Sequence, residues 1–121
     1  MYGHEHDEWM QIYSSVSDPK KFVGLSFMSG SATSFVKKNP GFTVVEIDEE
    51  LMIPLNFKIY IFNISKADQN PGKTPTWELL HDYLDHYQLS DLSPDTIYQN
   101  LALKVRDNED TAKKYLWNKI K

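Results

Sequence analysis

Four short runs rich in apolar and β-branched residues occupy the first half of the chain, and they limit its fold more than any other feature. Such residues are typical of strands, because their side chains pack well on a pleated surface. Turn-forming Pro and Gly residues lie between several of the runs. We therefore predict four strands, at Met10–Ile12, Phe22–Met28, Phe42–Ile47 and Asn56–Ile64. The second run is apolar almost throughout, which favours burial on both of its faces.

The pattern changes at residues 70–75, a breaker cluster that reads Asn-Pro-Gly-Lys-Thr-Pro. Beyond it, apolar residues recur at helical spacing. We predict one helix with Thr76 as its N-cap that continues to Tyr87, a second that opens at Ser93 and Pro94, and a third from about Glu109. Strands followed by about three helices define an α+β fold. We divide the chain into a strand region, 1–68, and a helical region, 69–121.

The composition fits a globular domain and excludes several classes of protein. Of the 121 residues, 40% are hydrophobic and 25% are charged, which argues against a wholly disordered chain. The net charge of −4 gives no electrostatic reason to bind nucleic acid or anionic lipid. Cysteine is absent, which excludes disulfides, thiolate metal sites and a cysteine nucleophile. No apolar run approaches the ~20 residues needed to span a bilayer, and no signal peptide is visible.

The motif with the clearest potential for metal binding is Gly3-His4-Glu5-His6, at the very start of the sequence. In an extended backbone, His4 and His6 point to the same side, roughly 6.5–7 Å apart at their Cα atoms. Two such imidazoles can bind one metal ion, or one each of two neighbouring ions. Asp7 or Glu8, which follow, could orient an imidazole. The alternative is a chance H-x-H pair, since two ligands do not complete a zinc site.

Three further features have weaker signals. His81 and His86 fall on the polar side of the helix predicted over residues 77–87, and we interpret both as solvated helix side chains. Asn63-Ile64-Ser65 is a glycosylation sequon, although such triplets arise often by chance. The small residues of Ser31–Thr33 could approach a ligand, or form an ordinary connection.

Seven short motifs follow one another along the chain: GHEH at 3–6, SAT at 31–33, NPGF at 39–42, EID at 46–48, YIFNIS at 60–65, WELL at 77–80 and LSPDTIYQNL at 92–101. In this order they resemble the C-terminal portion of acid sphingomyelinase and the acid sphingomyelinase-like phosphodiesterases, within the calcineurin-like metallophosphoesterases. The resemblance covers nearly the whole chain. The ordered series is much more specific than the GHxH motif alone.

The resemblance implies a zinc enzyme that hydrolyses phosphodiester bonds with two metal ions, of which His4 and His6 bind one each. It implies that the chain forms the C-terminal strands of a metallophosphatase β-sandwich, with the four predicted strands in one sheet and the helices packed against it. It also implies a glycan on Asn63 and a full-length parent that is secreted or lysosomal. The expected substrate of that parent is a phospholipid or another phosphodiester.

This chain lacks the D-x-H, G-D and G-N-H motifs that carry the family's other metal ligands, and the acid that protonates the leaving group also lies upstream in the family. We therefore assign no catalytic residue and expect a C-terminal fragment that is inactive alone. Sphingomyelinases tend to carry an aromatic residue of the choline pocket near the position of Leu51, which leaves headgroup selectivity open. The main alternative is a non-catalytic, free-standing interaction domain of the same descent. A further alternative is an unrelated α+β domain with a chance H-x-H pair.

Overall fold

The computed structural model describes residues 7–34, 38–74 and 76–119, and strands and helices share this part of the chain. Five strands are present in it: β1 (Trp9–Ser14), β2 (Phe22–Met28), β3 (Gly41–Ile47), β4 (Pro54–Phe62) and β5 (Trp77–Asp82). The helical elements are α1 (Ile64–Asp68), α2 (Tyr83–Tyr87), α3 (Pro94–Thr96), a π-helical segment (Ile97–Ala102), α4 (Leu103–Asp107) and α5 (Glu109–Lys119). The α+β prediction is confirmed.

The strands form two separate antiparallel sheets, so the prediction that the first four share one sheet is wrong. β1 pairs with β2 in a hairpin, and β3, β4 and β5 form a second sheet in that order. The reason is local: β1 and β2 satisfy each other's hydrogen bonds, and a long connection then carries the chain into the other sheet. The predicted bounds of Phe22–Met28 are confirmed. Its burial on both faces is not, because Val23 is 56% exposed.

The helix predicted from Thr76 to Tyr87 is also wrong over most of its length. Residues 77–82 form strand β5, and only residues 83–87 are helical, with Asp82 as the N-cap in place of Thr76. Pairing with β4 decides the outcome, because Ile59 faces His81 and Phe62 faces Trp77 across the ladder. The apolar spacing suits a helix, but hydrogen bonds to an existing strand override that local preference.

The C-terminal helices begin where the sequence predicts. Ser93 is an N-cap whose hydroxyl accepts a hydrogen bond from the Thr96 backbone N–H, and Pro94 is the first helical residue. Ile97 and Leu101 are each only 1% exposed. The last helix, α5, starts at Glu109 as predicted.

The core lies where the two sheets and the C-terminal helices meet. Phe27 of β2 stacks on Phe57 of β4, with ring centroids 4.3 Å apart, and this contact joins the two sheets. The ring of Tyr83 packs edge-on against both. Within the described ranges, no helix is long and apolar enough to cross a membrane.

Candidate functional site

His4 and His6, the predicted zinc ligands, lie outside the described residues. The structure does describe the residues that follow them directly. Asp7 forms an ion pair with Lys38, in the segment that leads into β3. The indole N–H of Trp9, the first residue of β1, donates to the Met28 sulfur at 2.9 Å. The chain is thus held at both positions that flank Glu8.

Glu8 forms a buried pair with His81. The His81 Nε2 atom lies 3.1 Å from Glu8 Oε1, and the two residues are 6% and 8% exposed. A carboxylate only accepts hydrogen bonds, so Nε2 is the donor. Glu8 immediately precedes β1, whereas His81 lies on β5 of the other sheet. The prediction that His81 is a solvated helix residue is wrong, because β5 turns it toward the core.

The rings of two α2 residues, Tyr83 and His86, pack around this pair. Burial, the charge of Glu8 and a hydrogen bond to that carboxylate hold the pKa of the Tyr83 hydroxyl well above its usual range. The His86 ring stacks on His81 with centroids 4.6 Å apart. His86 lies on a helix as predicted, but it is half-buried rather than fully solvated. Glu8 and His81 therefore belong to a packed polar cluster.

The C-terminal helix contacts the same region. The Tyr115 hydroxyl of α5 donates to the backbone carbonyl of Met10 in β1. Burial raises the pKa of Tyr115, and the charge of Glu8 adds to this effect. Residues 8–10, which follow the histidine motif closely, therefore contact three elements: β5 through Glu8, β2 through Trp9 and α5 through Met10.

The described residues hold no complete metal centre. Among residues 7–34, 38–74 and 76–119, no group of three or more His, Asp or Glu side chains could hold a metal ion. Asp7 and Glu8 are engaged with Lys38 and His81. The chemistry of the predicted donors, two imidazoles, does fit zinc.

Asn63 lies between β4 and α1 and is the N-cap of that helix. Its side-chain oxygen accepts a hydrogen bond from the Lys66 backbone N–H at 3.0 Å, and the residue is half-buried. The oxygen is therefore occupied, while the amide nitrogen is the atom to which a glycan is attached. A small pocket of about 170 Å³ lies beside it, lined by Lys66 and Thr76 among others.

The predicted ligand-approaching loop and the position of Leu51 have ordinary surroundings. Ser31 and Thr33 hydrogen-bond to each other through their hydroxyls at 2.9 Å. Leu51 lies in the turn after β3 and is 69% exposed. Its backbone N–H donates to the Asp48 carboxylate at 2.7 Å.

An apolar groove of about 660 Å³ opens at the other end of the core, and the sequence analysis missed it. Its lining includes Leu25 of β2, Val45 of β3 and Ile97 of the π-helical segment, together with Ile53 and Leu92. Its signal in the sequence is the exposed apolar pair Met52-Ile53, which lies outside the predicted strands. The groove can accept a hydrocarbon group.

Sequence comparison relates the chain to curated enzymes. It is 28% identical over 109 residues to "Sphingomyelin phosphodiesterase" of Bos taurus, covering 87% of this chain. It is 28% identical over 120 residues to "Sphingomyelin phosphodiesterase 2" of Caenorhabditis elegans and 24% identical over 118 residues to "Sphingomyelin phosphodiesterase A" of Dictyostelium discoideum, covering 95% and 98% of this chain. No protein-family model matches the chain.

The chain is similar to sphingomyelin phosphodiesterases. The resemblance read from the ordered motifs is thereby confirmed. The chain spans about a fifth of the length of these enzymes, 17% to 20%. A sphingomyelinase-like origin follows from the similarity, and it extends over nearly all of the described structure.

Proposed function

We propose that this chain supplies one part, the C-terminal part, of a zinc-dependent phosphodiesterase that resembles the sphingomyelin phosphodiesterases. The observation that carries the proposal is the similarity to these enzymes over 87% to 98% of the chain. The parent's substrate is a phospholipid or another phosphodiester. A glycan on Asn63 and a secreted or lysosomal parent belong to the same proposal.

His4 and His6 would each bind one of two zinc ions. When bound, the metal pair lowers the pKa of a water molecule and neutralises charge on the phosphoryl oxygens. The chain's own contribution is to present two neutral imidazoles from a segment that is followed at once by the anchored residues Asp7 and Glu8. A catalytic zinc usually takes about three protein ligands, so two histidines leave both ions short. The chain alone is therefore expected to be inactive.

The test starts with the transcript upstream of the codon for Met1. We expect an open reading frame that encodes D-x-H and G-N-H motifs, and a transcript without them would overturn the enzyme proposal. The protein from the longest frame is then purified. We expect zinc-dependent hydrolysis of sphingomyelin or of a nucleotide-type phosphodiester, with a loss of at least 100-fold in His4→Ala and in His6→Ala. Lys20→Ala is the control, because Lys20 is an exposed residue in the turn between β1 and β2.

A second candidate function is a non-catalytic interaction domain of the same descent. The apolar groove favours it, because a surface of this size can hold an apolar partner without any chemistry. The two proposals separate on one result: an interaction domain binds its partner equally well with and without His4 and His6, and the phosphodiesterase loses its activity when either is replaced.

A further inference from the structure

Glu8 and His81 are separated by 73 positions in the sequence and yet meet in the interior. Both side chains are charged or titratable groups, and burying such groups is unfavourable unless they find a partner. Each is the other's partner at 3.1 Å, with less than a tenth of either residue exposed. Among the ion pairs of the described residues, this is the most deeply buried.

The pair connects the beginning of β1 to the three-stranded sheet. The β1–β2 hairpin and that sheet share no backbone ladder in the part of the chain that the structure describes. At the start of β1, the contact with β5 is therefore made by side chains. The aromatic stack of Phe27 on Phe57 is non-directional packing, whereas a hydrogen bond from a fixed imidazole to a carboxylate selects one geometry.

Because Glu8 follows the histidine motif so closely in the sequence, its placement affects that of His4 and His6. Glu8 lies two positions after His6, so their Cα atoms are at most about 7 Å apart, and His4 lies within about 14 Å of Glu8. Any change in the placement of Glu8 is therefore passed to both histidines through a very short length of backbone. Groups that hydrogen-bond directly to metal ligands change metal affinity by about 10–100-fold when they are removed, and an effect passed through the backbone should lie at the lower end of that range.

We propose that Glu8 and His81 are positioning residues that fix the start of β1, which follows the His4 and His6 motif in the sequence, against β5. This inference rests on the function proposed above. Neither residue contacts the metal or the substrate in this account. Tyr83, His86 and Tyr115 surround the pair and keep water from it, while the directional contact is the bond between Glu8 and His81.

The test uses two substitutions at each position that differ only in hydrogen bonding. His81→Gln keeps an N–H donor for Glu8, whereas His81→Phe fills the same space with a ring and has none. Glu8→Gln keeps an acceptor, whereas Glu8→Leu has none. Glu78→Leu is the matched control, because Glu78 lies on the same strand and forms a more exposed pair with Lys66.

The first measurement is hydrogen exchange of the backbone amides of residues 7–10 in the full 121-residue chain, without metal. We expect exchange about tenfold faster in His81→Phe and in Glu8→Leu. We expect the two glutamine variants and Glu78→Leu to exchange as the unaltered chain does. A purely space-filling role predicts the reverse order, with His81→Phe protected and His81→Gln exposed, and that result would overturn the proposal.

The second measurement is calorimetric titration of the same variants with zinc ion alone. We expect the zinc affinity to be about tenfold weaker in His81→Phe and Glu8→Leu. In the two glutamine variants we expect the affinity of the unaltered chain. Zinc binding that is unchanged by His4→Ala and His6→Ala contradicts the proposed metal ligands, and the exchange data then decide the positioning role by themselves. Zinc binding that depends on both histidines but not on His81→Phe or Glu8→Leu contradicts the positioning role alone. If one variant does not fold, the pair of substitutions at the other position gives the answer.

Discussion

The two faces of the three-stranded sheet are built from similar residues but have different surroundings. On the inner face, Phe57 and Ile59 are 4% and 3% exposed and pack on the hairpin and the helices. On the outer face, Phe42 and Trp77 are 38% and 47% exposed and contact mainly each other and their strand neighbours. Strand composition alone does not distinguish them. What separates the faces is their covering: the hairpin and the helices pack on the inner face, where the pair of Glu8 and His81 is also buried.

The largest expected difference between the faces is in stability. Phe57→Ala removes a stacked ring from the junction of the two sheets, and we expect a loss of about 3–5 kcal/mol in the free energy of unfolding. Phe42→Ala on the outer face should cost about 1 kcal/mol, because part of that ring already faces water. Urea denaturation of both variants measures the difference. Equal losses would mean that the outer face is also covered.

A second difference is expected at alkaline pH. The pKa of Tyr83 is raised in the folded chain, so folded molecules retain a proton that unfolded ones release above pH ~10. Stability that is complete below pH 10 should therefore fall as the pH rises, by up to about 1.4 kcal/mol per pH unit. Tyr83→Phe should remove most of this slope.

Tyr115→Phe serves as the comparison for Tyr83→Phe, because the pKa of Tyr115 is raised to a lesser degree. Denaturation curves between pH 8 and pH 11 give the slopes of both variants. We expect a smaller change in Tyr115→Phe. A slope that survives in Tyr83→Phe would show that other groups cause the alkaline loss.

A third, smaller effect concerns the helix that closes the inner face. Ser93→Ala removes the N-cap that precedes Ile97 and Leu101, and we expect a loss of about 1 kcal/mol. Ser17→Ala, at an exposed serine in the turn between β1 and β2, is the control and should change little. Thermal unfolding followed by circular dichroism measures both. A neutral Ser93→Ala would indicate that the buried side chains alone hold the helix start.

The smallest effect is expected at Gln88, an exposed residue at the end of α2. Gln88 adopts a left-handed backbone with φ of 55°. Glycine tolerates this conformation better, so Gln88→Gly should stabilise the chain by about 0.5 kcal/mol. Asn70→Gly, at a position without positive φ, should not stabilise it. A loss of stability in Gln88→Gly would show that the glutamine side chain contributes contacts that outweigh the backbone strain.

Local sequence signals predict the elements whose hydrogen bonds are local. The strand at Phe22–Met28 and the N-cap at Ser93 follow from their own residues, and the structure has both. The residues from Trp77 to Asp82 have apolar spacing that suits a helix, and only their pairing with β4 makes them a strand. Non-local pairing of this kind leaves no mark in a single sequence.

The residues of the candidate site likewise fall into those that the sequence predicts and those that it does not. His4 and His6 are recognisable because they stand at alternate positions of one short motif, and Glu8 is visible as a carboxylate two positions later. The partner of Glu8 is not visible, because His81 lies 73 positions away and looks like a solvated helix residue until β5 is known. The apolar groove is missed for a similar reason, since Leu25, Val45 and Ile97 converge only in the folded chain.

The central claim is that His4 and His6 are zinc ligands of a phosphodiesterase, and a crystal structure of the longest natural protein with anomalous data at the zinc edge tests it most directly. The account predicts two zinc ions about 3.5–4 Å apart, one bound by His4 and the other by His6. It also predicts that the segment leads straight into the bonded pair of Glu8 and His81. Anomalous density at neither imidazole, in protein that retains zinc and activity, would contradict the claim.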